Sequence, residues 1–205
     1  NDGSYLHRYQ YDGNPIYAYF MNVPYYSNVY TAESLEQIYE VGLMTMENNI
    51  SYQMEIYTNV SKGPTDGVKV YDKKGVLPLE GYHTIKVDDV INVSKGEKFA
   101  IVITTRDASG GYVDVLVDMS SDFDCTFNYK NVSNLGESFS SYDKKYWQDL
   151  SSTNNDTAGY NWRIKVLTKK CDFSFNVDKT NGYIVNKEAK ISVVDGLEGA
   201  QYKYI

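Results

Sequence analysis

The stretch that most constrains the fold lies at residues 81–106, where an alternating segment precedes an apolar run. Between residues 83 and 87 the side chains alternate, with His83, Ile85 and Val87 on one face and Thr84 and Lys86 on the other. Such alternation is typical of a strand with one wet face. The run FAIVI at residues 99–103 is apolar on both faces and belongs inside a sheet or between layers. With a turn at residues 94–96, these segments predict two neighbouring strands beneath a second sheet.

Composition supports a β-rich chain. Tyr occurs 21 times in 205 residues, and Asn, Asp, Ser and Val are abundant, which favours pleated strands and turns over helices. A chain of this length can bury a full core. The net charge of −7 argues against a nucleic-acid partner, which requires clustered Lys and Arg. No run of about 18 apolar residues occurs, so we expect no membrane-spanning helix.

The remaining segments predict many short strands punctuated by turns, the pattern of a β-sandwich or jelly roll. Residues 34–39 have helical spacing, but the alternation that follows favours a strand. In residues 52–57 we expect Tyr52, Met54 and Ile56 to point inward and Gln53 and Glu55 outward. Further strands are predicted at residues 16–30 (interrupted by Pro24), 68–71, 76–79 (after a turn at 72–75), 112–118, 127–129, 137–140 and 162–166.

Three regions divide the chain in this interpretation. Residues 1–8 are polar and are predicted to be a linker, residues 9–170 form the main sandwich, and residues 171–205 begin a second β module. In that tail, strands are expected around Phe173 and Phe175, at 189–194 and at 202–205. Three strands are too few for an Ig-like domain, so the module is predicted to be incomplete and the chain to be cut from a longer protein.

Eight short motifs, taken in order, carry a family resemblance. They are YQYDG at 9–13, NVYTAESLE at 28–36, SYQMEIYTN at 51–59, GYHT at 81–84, KGEKF at 95–99, ESF at 137–139, WQDL at 147–150 and the segment 162–168. Over residues 9–168 the chain resembles the lectin-like domain that follows papain-type cysteine peptidase domains in bacterial cell-surface proteins. QYKY at 201–204 is similar to the start of Ig-like repeats found on such proteins.

The resemblance implies an all-β, antiparallel lectin-like sandwich (jelly-roll or lectin-like) exported to the bacterial cell surface or cell wall. It implies a place between a peptidase domain and wall-attached modules, and some members hold calcium in this domain. The expected partners are the adjacent peptidase domain and cell-wall or host glycans. The expected function is that of a non-catalytic accessory domain, with a stand-alone carbohydrate-binding module as the alternative.

Catalysis by this chain itself is not expected. A cysteine nucleophile needs a histidine within hydrogen-bond reach and a group to orient it. Cys125 lies in SDFDCTF, where carboxylates oppose a thiolate, and His7 and His83 lie in the linker and in a strand. Catalytic residues of a parent peptidase would lie outside this chain. Whether Cys125 and Cys171 form a disulfide is open.

Calcium is the metal that the residues favour, because it prefers six to eight oxygen ligands. Asp118, Asp122 and Asp124 crowd one corner, and a divalent cation would relieve their repulsion. A solvated acidic loop explains the same residues. Rival clusters are Asp12 with Asn14, and Asp149 with Asn154 and Asp156. No Cys and His spacing indicates zinc.

Carbohydrate binding would use exposed aromatic faces flanked by amides and carboxylates, since sugars stack their C–H faces on rings. Trp147 in KKYWQDL is the first candidate, and Tyr25 and Tyr26 beside Pro24 come next. A Trp in this setting is also a common packing anchor, and Trp162 is expected in the core. Glycan binding thus predicts an exposed aromatic in a groove. A structural role against the peptidase predicts an apolar patch, and enzymatic activity predicts a catalytic cleft.

Overall fold

The computed structural model describes residues 5–13, 18–118, 132–151, 159–171, 174–177 and 191–194. All regular elements in these ranges are strands: β1 Arg8–Tyr9, β2 Ala18–Asn22, β3 Tyr25–Thr31, β4 Glu36–Thr45, β5 Ile50–Thr58, β6 Val68–Leu77, β7 Gly81–Val93, β8 Lys98–Arg106, β9 Asp114–Asp118, β10 Ser138–Ser141, β11 Gln148–Asp149, β12 Asn161–Trp162, β13 Lys165–Lys170, β14 Ser174–Val177 and β15 Ile191–Val194. Within them, no helix is long and apolar enough to cross a membrane.

Two antiparallel sheets form the body of the molecule. A four-stranded sheet has the order β1-β13-β4-β7, and a six-stranded sheet has the order β11-β10-β3-β8-β5-β6. A three-stranded sheet, β12-β9-β2, accompanies them. Buried side chains of both large sheets, including Ile38 and Val41 from one and Met54 and Ile101 from the other, form one apolar cluster. The predicted all-β sandwich is therefore confirmed.

Strand β8 lies in the middle of the six-stranded sheet and is buried on both faces. Phe99, Ile101 and Ile103 join the main core between the sheets. On the opposite face, Ala100 belongs to a second cluster with Val29, Val60 and Phe139. Residues 99–103 are apolar on both faces because a buried cluster covers each face of β8.

The predicted pairing of β7 with β8 is wrong. β7 pairs with β4 in the four-stranded sheet, whereas β8 lies between β3 and β5 in the six-stranded sheet. The turn at 94–97 crosses from one sheet to the other, next to the β3–β4 connection. Gly96 N donates to Ala32 O at 2.8 Å, and Ala32 N donates to Glu97 O at 2.9 Å. Alternation reports which face of a strand is buried, but not which strand is its neighbour.

Two further predictions of local structure are corrected. The turn expected at 72–75 lies inside the ten-residue edge strand β6, where Lys73 pairs with Asp88. Charged residues are tolerated there because an edge strand faces water. The closing strand at 162–166 is divided, since β12 pairs with β9 and β13 pairs with β4. By contrast, β4 confirms the strand prediction for the segment with helical spacing.

The N-terminal segment makes strand-like bonds ahead of β1. Leu6 N donates to Thr168 O at 2.8 Å, and Thr168 N donates to His7 O at 3.0 Å. Residues of the predicted linker therefore join the edge of the four-stranded sheet. In the tail, β14 pairs with β15 in antiparallel register. The strands expected at 127–129 and 202–205 lie outside the described residues.

Candidate functional site

The most distinctive surface feature is the turn between β10 and β11, residues 142–147, which we call the Tyr142 loop. Ser141 Oγ accepts hydrogen bonds from the amides of Lys144 at 2.9 Å and Asp143 at 3.3 Å. Asp143 Oδ1 accepts from the amides of Lys145 at 2.8 Å and Tyr146 at 2.9 Å. The bonds from the Tyr146 and Lys145 amides hold the pKa of Asp143 below its ordinary value.

Trp147 anchors this loop to the outer face of the six-stranded sheet. Its ring packs against the second cluster, which contains Val29 and Phe139. Its Nε1 donates to Thr65 Oγ1 at 2.9 Å and to Lys144 O at 3.2 Å. An indole whose N–H is used and whose face packs on the sheet is a structural anchor.

Lys144 supplies the second attachment. Its ammonium pairs with the buried carboxylate of Glu55 and lies 4.9 Å from the centroid of the Tyr25 ring. Glu55 also pairs with Lys69 at 3.2 Å, which explains why a residue predicted to point outward is only 4% exposed. Its side chain does lie on the outer face, but the Tyr142 loop and Lys69 cover it.

The attachments leave two aromatic rings in solvent. Tyr142 is 74% exposed and Tyr146 is 83% exposed. Both line a pocket of about 350 Å³, together with Asp143, Trp147 and Gln148. Exposed rings beside a carboxylate, an amide and hydroxyls are the groups that a saccharide requires. The pocket can therefore stack a sugar ring and hydrogen-bond its hydroxyls.

The three residues predicted to stack on a sugar differ in their position and burial. Trp147 and Tyr25 meet at this loop, where Trp147 is half-buried and Tyr25 lies beneath Lys144. The prediction for Tyr26 is wrong, because its ring is 2% exposed and packs on Trp162 with centroids 5.1 Å apart. Trp162 itself is in the core, as predicted.

Sequence reasoning missed Tyr142 and Tyr146. The available signal was the segment SYDKKYW, in which two tyrosines flank the polar turn Asp143-Lys144-Lys145. A strand pattern cannot show that the following Trp folds back onto the sheet and leaves these tyrosines outside. The exposed rings therefore lie next to the predicted residue.

The acidic cluster predicted for calcium is described only at Asp118. This carboxylate is fully buried, accepts a hydrogen bond from Gly13 N at 2.8 Å and pairs with Arg163 at 3.3 Å. A guanidinium already satisfies the charge that a calcium ion would satisfy, so Asp118 fits this role poorly. Asp122 and Asp124 lie outside the described residues. Within those residues, no group of three or more His, Cys, Asp or Glu is arranged to hold a metal.

The described carboxylates of the rival clusters also have protein partners. Asp12 pairs with Lys165 at 3.0 Å, and Asp149 accepts bonds from the amides of Gly136 and Ser151. Asn14, Asn154 and Asp156 lie outside the described residues. The calcium ligand set stays a prediction.

The structure gives contacts for both histidines and for Cys171. His7 Nδ1 lies 2.8 Å from Glu36 Oε2, and His83 Nε2 lies 2.8 Å from Leu79 O. Cys171 Sγ contacts Asn92 Oδ1 at 3.2 Å. Cys125 lies outside the described residues.

Comparison with known proteins agrees with this architecture. The model of the lectin-like domain family matches residues 9–168, and the chain belongs to that family. No curated protein matches the chain significantly.

Two solved structures have the same fold. One contains the cysteine protease and lectin-like domains of Cwp84, a surface layer associated protein of Clostridium difficile, with 20% identity and a TM-score of 0.64. The other is the clostridial cysteine protease Cwp84 after propeptide cleavage, also 20% identical, with a TM-score of 0.62. Each alignment covers 83% of this chain but only 37% and 41% of the respective Cwp84 chains.

Proposed function

We propose that this chain is a non-catalytic accessory domain of a secreted cysteine peptidase at the bacterial surface, and that it holds cell-wall or host polysaccharide at the Tyr142 loop. The observation that carries the proposal is the exposure of Tyr142 and Tyr146 around a pocket. The family membership and the protease domain present in the Cwp84 structures support the accessory role.

The rigidity of the loop supports binding at this place. Side chains lose conformational freedom when they bind, and a preorganised surface avoids part of that cost. Here Ser141, Asp143 and Trp147 hold the backbone through hydrogen bonds before any ligand arrives. Tyr rings add large contact area with few rotatable bonds. The loop therefore presents both rings to a sugar from a backbone that is already held in place.

The test is retention of the purified chain on insoluble cell wall and on insoluble polysaccharides. The double variant Tyr142→Ala/Tyr146→Ala removes both exposed rings and leaves the anchor in place. Tyr112→Ala is the matched control, because Tyr112 is an exposed tyrosine that stacks on Arg106 instead. We expect the wild type and the control to be retained and the double variant to be released. Equal retention of all three proteins would refute the Tyr142 site.

Calcium-assisted binding belongs to the same proposal and is tested in the same assay. The wild type, Tyr142→Ala/Tyr146→Ala, Tyr112→Ala and Trp147→Ala are each applied once with calcium and once with a chelator. If calcium assists, the chelator weakens retention of the wild type. A melting temperature that rises with calcium while retention is unchanged would assign calcium to folding alone.

A second role, structural positioning of the peptidase, is favoured by the N-terminal segment. The backbone amides of Leu6 and His7 donate hydrogen bonds to Thr168, which hold this segment on the sheet edge. A segment so held would transmit a fixed orientation to a domain attached before it. Leu6→Pro removes the Leu6 donor and should speed proteolysis near residues 5–10 without changing polysaccharide retention. Unchanged proteolysis would contradict this role for the segment.

A further inference from the structure

We propose that the outer face of the four-stranded sheet is a second binding site, for a polymer carrying carboxylate or phosphate groups. This proposal does not depend on the Tyr142 loop, which covers the other sheet. The face contains a pocket of about 590 Å³ whose lining includes Tyr5, Arg8, Tyr82, Thr84, Lys165 and Leu167.

Strand register places the lining side chains together. Arg8 lies opposite Leu167, Leu167 opposite Glu40, and Glu40 opposite Lys86, so these residues form one row across four strands. Two residues further along the strands, Lys165 lies opposite Gly42, and Gly42 opposite Thr84. Residues two apart on a strand share a face. The pocket is therefore floored by regular sheet rather than by a loop.

Gly42 creates the room for one wall. A Cβ built at Gly42 would lie 1.8 Å from the hydroxyl oxygen of Tyr82, so the ring of Tyr82 crosses the sheet where the glycine has no side chain. Tyr82 remains 52% exposed, and Lys165 Nζ lies 5.6 Å from its ring centroid. The wall thus combines an aromatic face with a cation.

A second aromatic ring positions more cations beside the pocket. Lys169 Nζ lies 5.0 Å and Lys86 Nζ 5.6 Å from the centroid of the Tyr39 ring. Tyr5 connects the two regions, since its ring lies 6.2 Å from Tyr39 and it lines the pocket. Cation–π contacts hold these ammonium groups on the same side of the sheet as the pocket.

The charge of this face is opposite to that of the whole chain. Arg8, Lys86, Lys165 and Lys169 are four cations, and three carboxylates accompany them. Glu40 accepts a hydrogen bond from the Tyr5 hydroxyl, Asp12 pairs with Lys165, and Glu33 lies 3.5 Å from His7 in the pocket lining. The full chain carries −7. Cations gathered on one face of an acidic protein attract anionic ligands, and the surrounding negative charge disfavours a ligand as densely charged as nucleic acid. Anionic groups spaced along a saccharide chain fit both the cations and the Tyr82 ring.

The test measures binding of the 205-residue chain to soluble polymers at several salt concentrations. Polygalacturonate supplies carboxylates, sparsely phosphorylated dextran supplies phosphates, and neutral dextran is the uncharged control. We expect binding to at least one anionic polymer, weakening steeply with salt, and none to dextran. Binding to only one of the two anionic polymers identifies the charged group that the face prefers.

Two variants locate the site. Arg8→Gln/Lys86→Gln removes two cations of this face, and we expect binding up to about fivefold weaker per cation, the range for exposed ion pairs. Lys62→Gln/Lys95→Gln makes the same charge change at exposed lysines elsewhere and should bind as the wild type does. Gly42→Ala displaces Tyr82 without changing charge and should also weaken binding.

The proposal would be overturned by no binding to either anionic polymer, by binding that does not depend on salt, or by equal losses in Arg8→Gln/Lys86→Gln and Lys62→Gln/Lys95→Gln. Circular dichroism of each variant shows that the fold is intact. Tyr142→Ala/Tyr146→Ala should bind the anionic polymers normally, which separates this site from the Tyr142 loop. Loss of binding in that variant would place the ligand at the other sheet and refute the assignment.

Discussion

At the scale of single residues, Glu55 shows how a charged side chain becomes part of the functional surface. It lies on the outer face of β5, pairs with Lys69 and Lys144, and is nearly fully buried. Lys144 adopts a positive φ of 62° and contributes its carbonyl to the Trp147 indole. Because the backbone of a non-glycine residue is strained at positive φ, the surrounding contacts must hold Lys144 in this conformation. Glu55 is therefore a positioning residue for the Tyr142 loop.

Replacing Glu55 should loosen the loop without removing any of its residues. In Glu55→Gln, the ammonium of Lys144 loses its charged partner, and we expect Trp147 to become more accessible to solvent. Tryptophan fluorescence should shift to longer wavelength and be quenched more strongly by iodide. Trp162 is buried in the core and should be unaffected.

Asp72→Asn is the matched control. It also removes a carboxylate partner of Lys69 but leaves the bond between Glu55 and Lys144. Its fluorescence should equal that of the wild type. If Asp72→Asn and Glu55→Gln change the fluorescence equally, the general charge of the sheet face, and not Glu55, positions the loop.

At the scale of elements, a buried carboxylate joins β1, β4 and β13. Glu36 accepts hydrogen bonds from the hydroxyls of Tyr9, at 2.5 Å, and Thr168, and His7 lies 2.8 Å away. Burial alone would raise the pKa of Glu36, but the bonds from Thr168, Tyr9 and His7 together lower it below its ordinary value. The short edge strand β1 is therefore attached by side chains as well as by its ladder.

Glu36→Gln should lower stability in a pH-dependent way. The folded-state pKa of Glu36 lies below the unfolded one, so the carboxylate stabilises the fold above its ordinary pKa and this stabilisation is lost as pH falls through the folded pKa. At pH 7 we expect a loss of about 1–3 kcal/mol, because a buried hydrogen-bond network is broken.

Urea unfolding at a series of pH values measures this effect. The difference between Glu36→Gln and the wild type should shrink as the solution becomes acidic. Glu33→Gln is the control, since its side chain is 68% exposed and lies 3.5 Å from His7 Nε2. A difference that stays constant down to acidic pH would contradict the linkage to Glu36.

The turn that crosses between the sheets depends on one glycine. Gly96 has φ of 84°, a backbone conformation that other residues adopt at a cost. A Cβ there would meet no atom within 4 Å, so the cost of Gly96→Ala is backbone strain alone. We expect a loss of about 1–2 kcal/mol in the free energy of unfolding.

Gly63→Ala serves as the comparison for Gly96→Ala. Its Cβ would also meet open space, and its φ lies outside the left-handed region. Thermal unfolding of this variant should match the wild type. A Gly96→Ala protein as stable as Gly63→Ala would show that the crossing turn tolerates another conformation.

At the scale of the whole molecule, one core unites the two large sheets, while among the described strands β14 and β15 form a separate two-stranded sheet. A two-stranded hairpin is marginally stable by itself. The family model also ends at residue 168, just before the predicted boundary at 170. We therefore expect residues beyond 170 to contribute little to the main cooperative unit.

Ending the chain after residue 170 should leave the main unfolding transition unchanged. The contact between Cys171 and Asn92 is a weak thiol hydrogen bond and its loss is small. Differential scanning calorimetry of the shortened and full chains measures this directly. A shortened chain that unfolds at a clearly lower temperature would move the domain boundary toward the C-terminus.

Sequence reasoning predicted the sandwich because each strand carries its own burial pattern. It predicted both faces of β8, the strand β4 and the core position of Trp162. It failed where the outcome depended on contacts between distant segments. Glu55 is buried by Lys144, Tyr26 is covered by Trp162, and Trp147 packs onto the outer face of the six-stranded sheet.

The sequence by itself determined the fold class, since alternating and doubly apolar segments bury their side chains only in layered sheets. It also determined the family, through motifs spread over residues 9–168. Only the tertiary structure decided which strands are neighbours and which aromatic rings face water. Those outcomes arise from long-range pairing, such as β7 with β4 and β8 with β3 and β5, which no local pattern specifies. The same pairing exposes Tyr142 and Tyr146 on one sheet and gathers Arg8, Lys86 and Lys165 on the other.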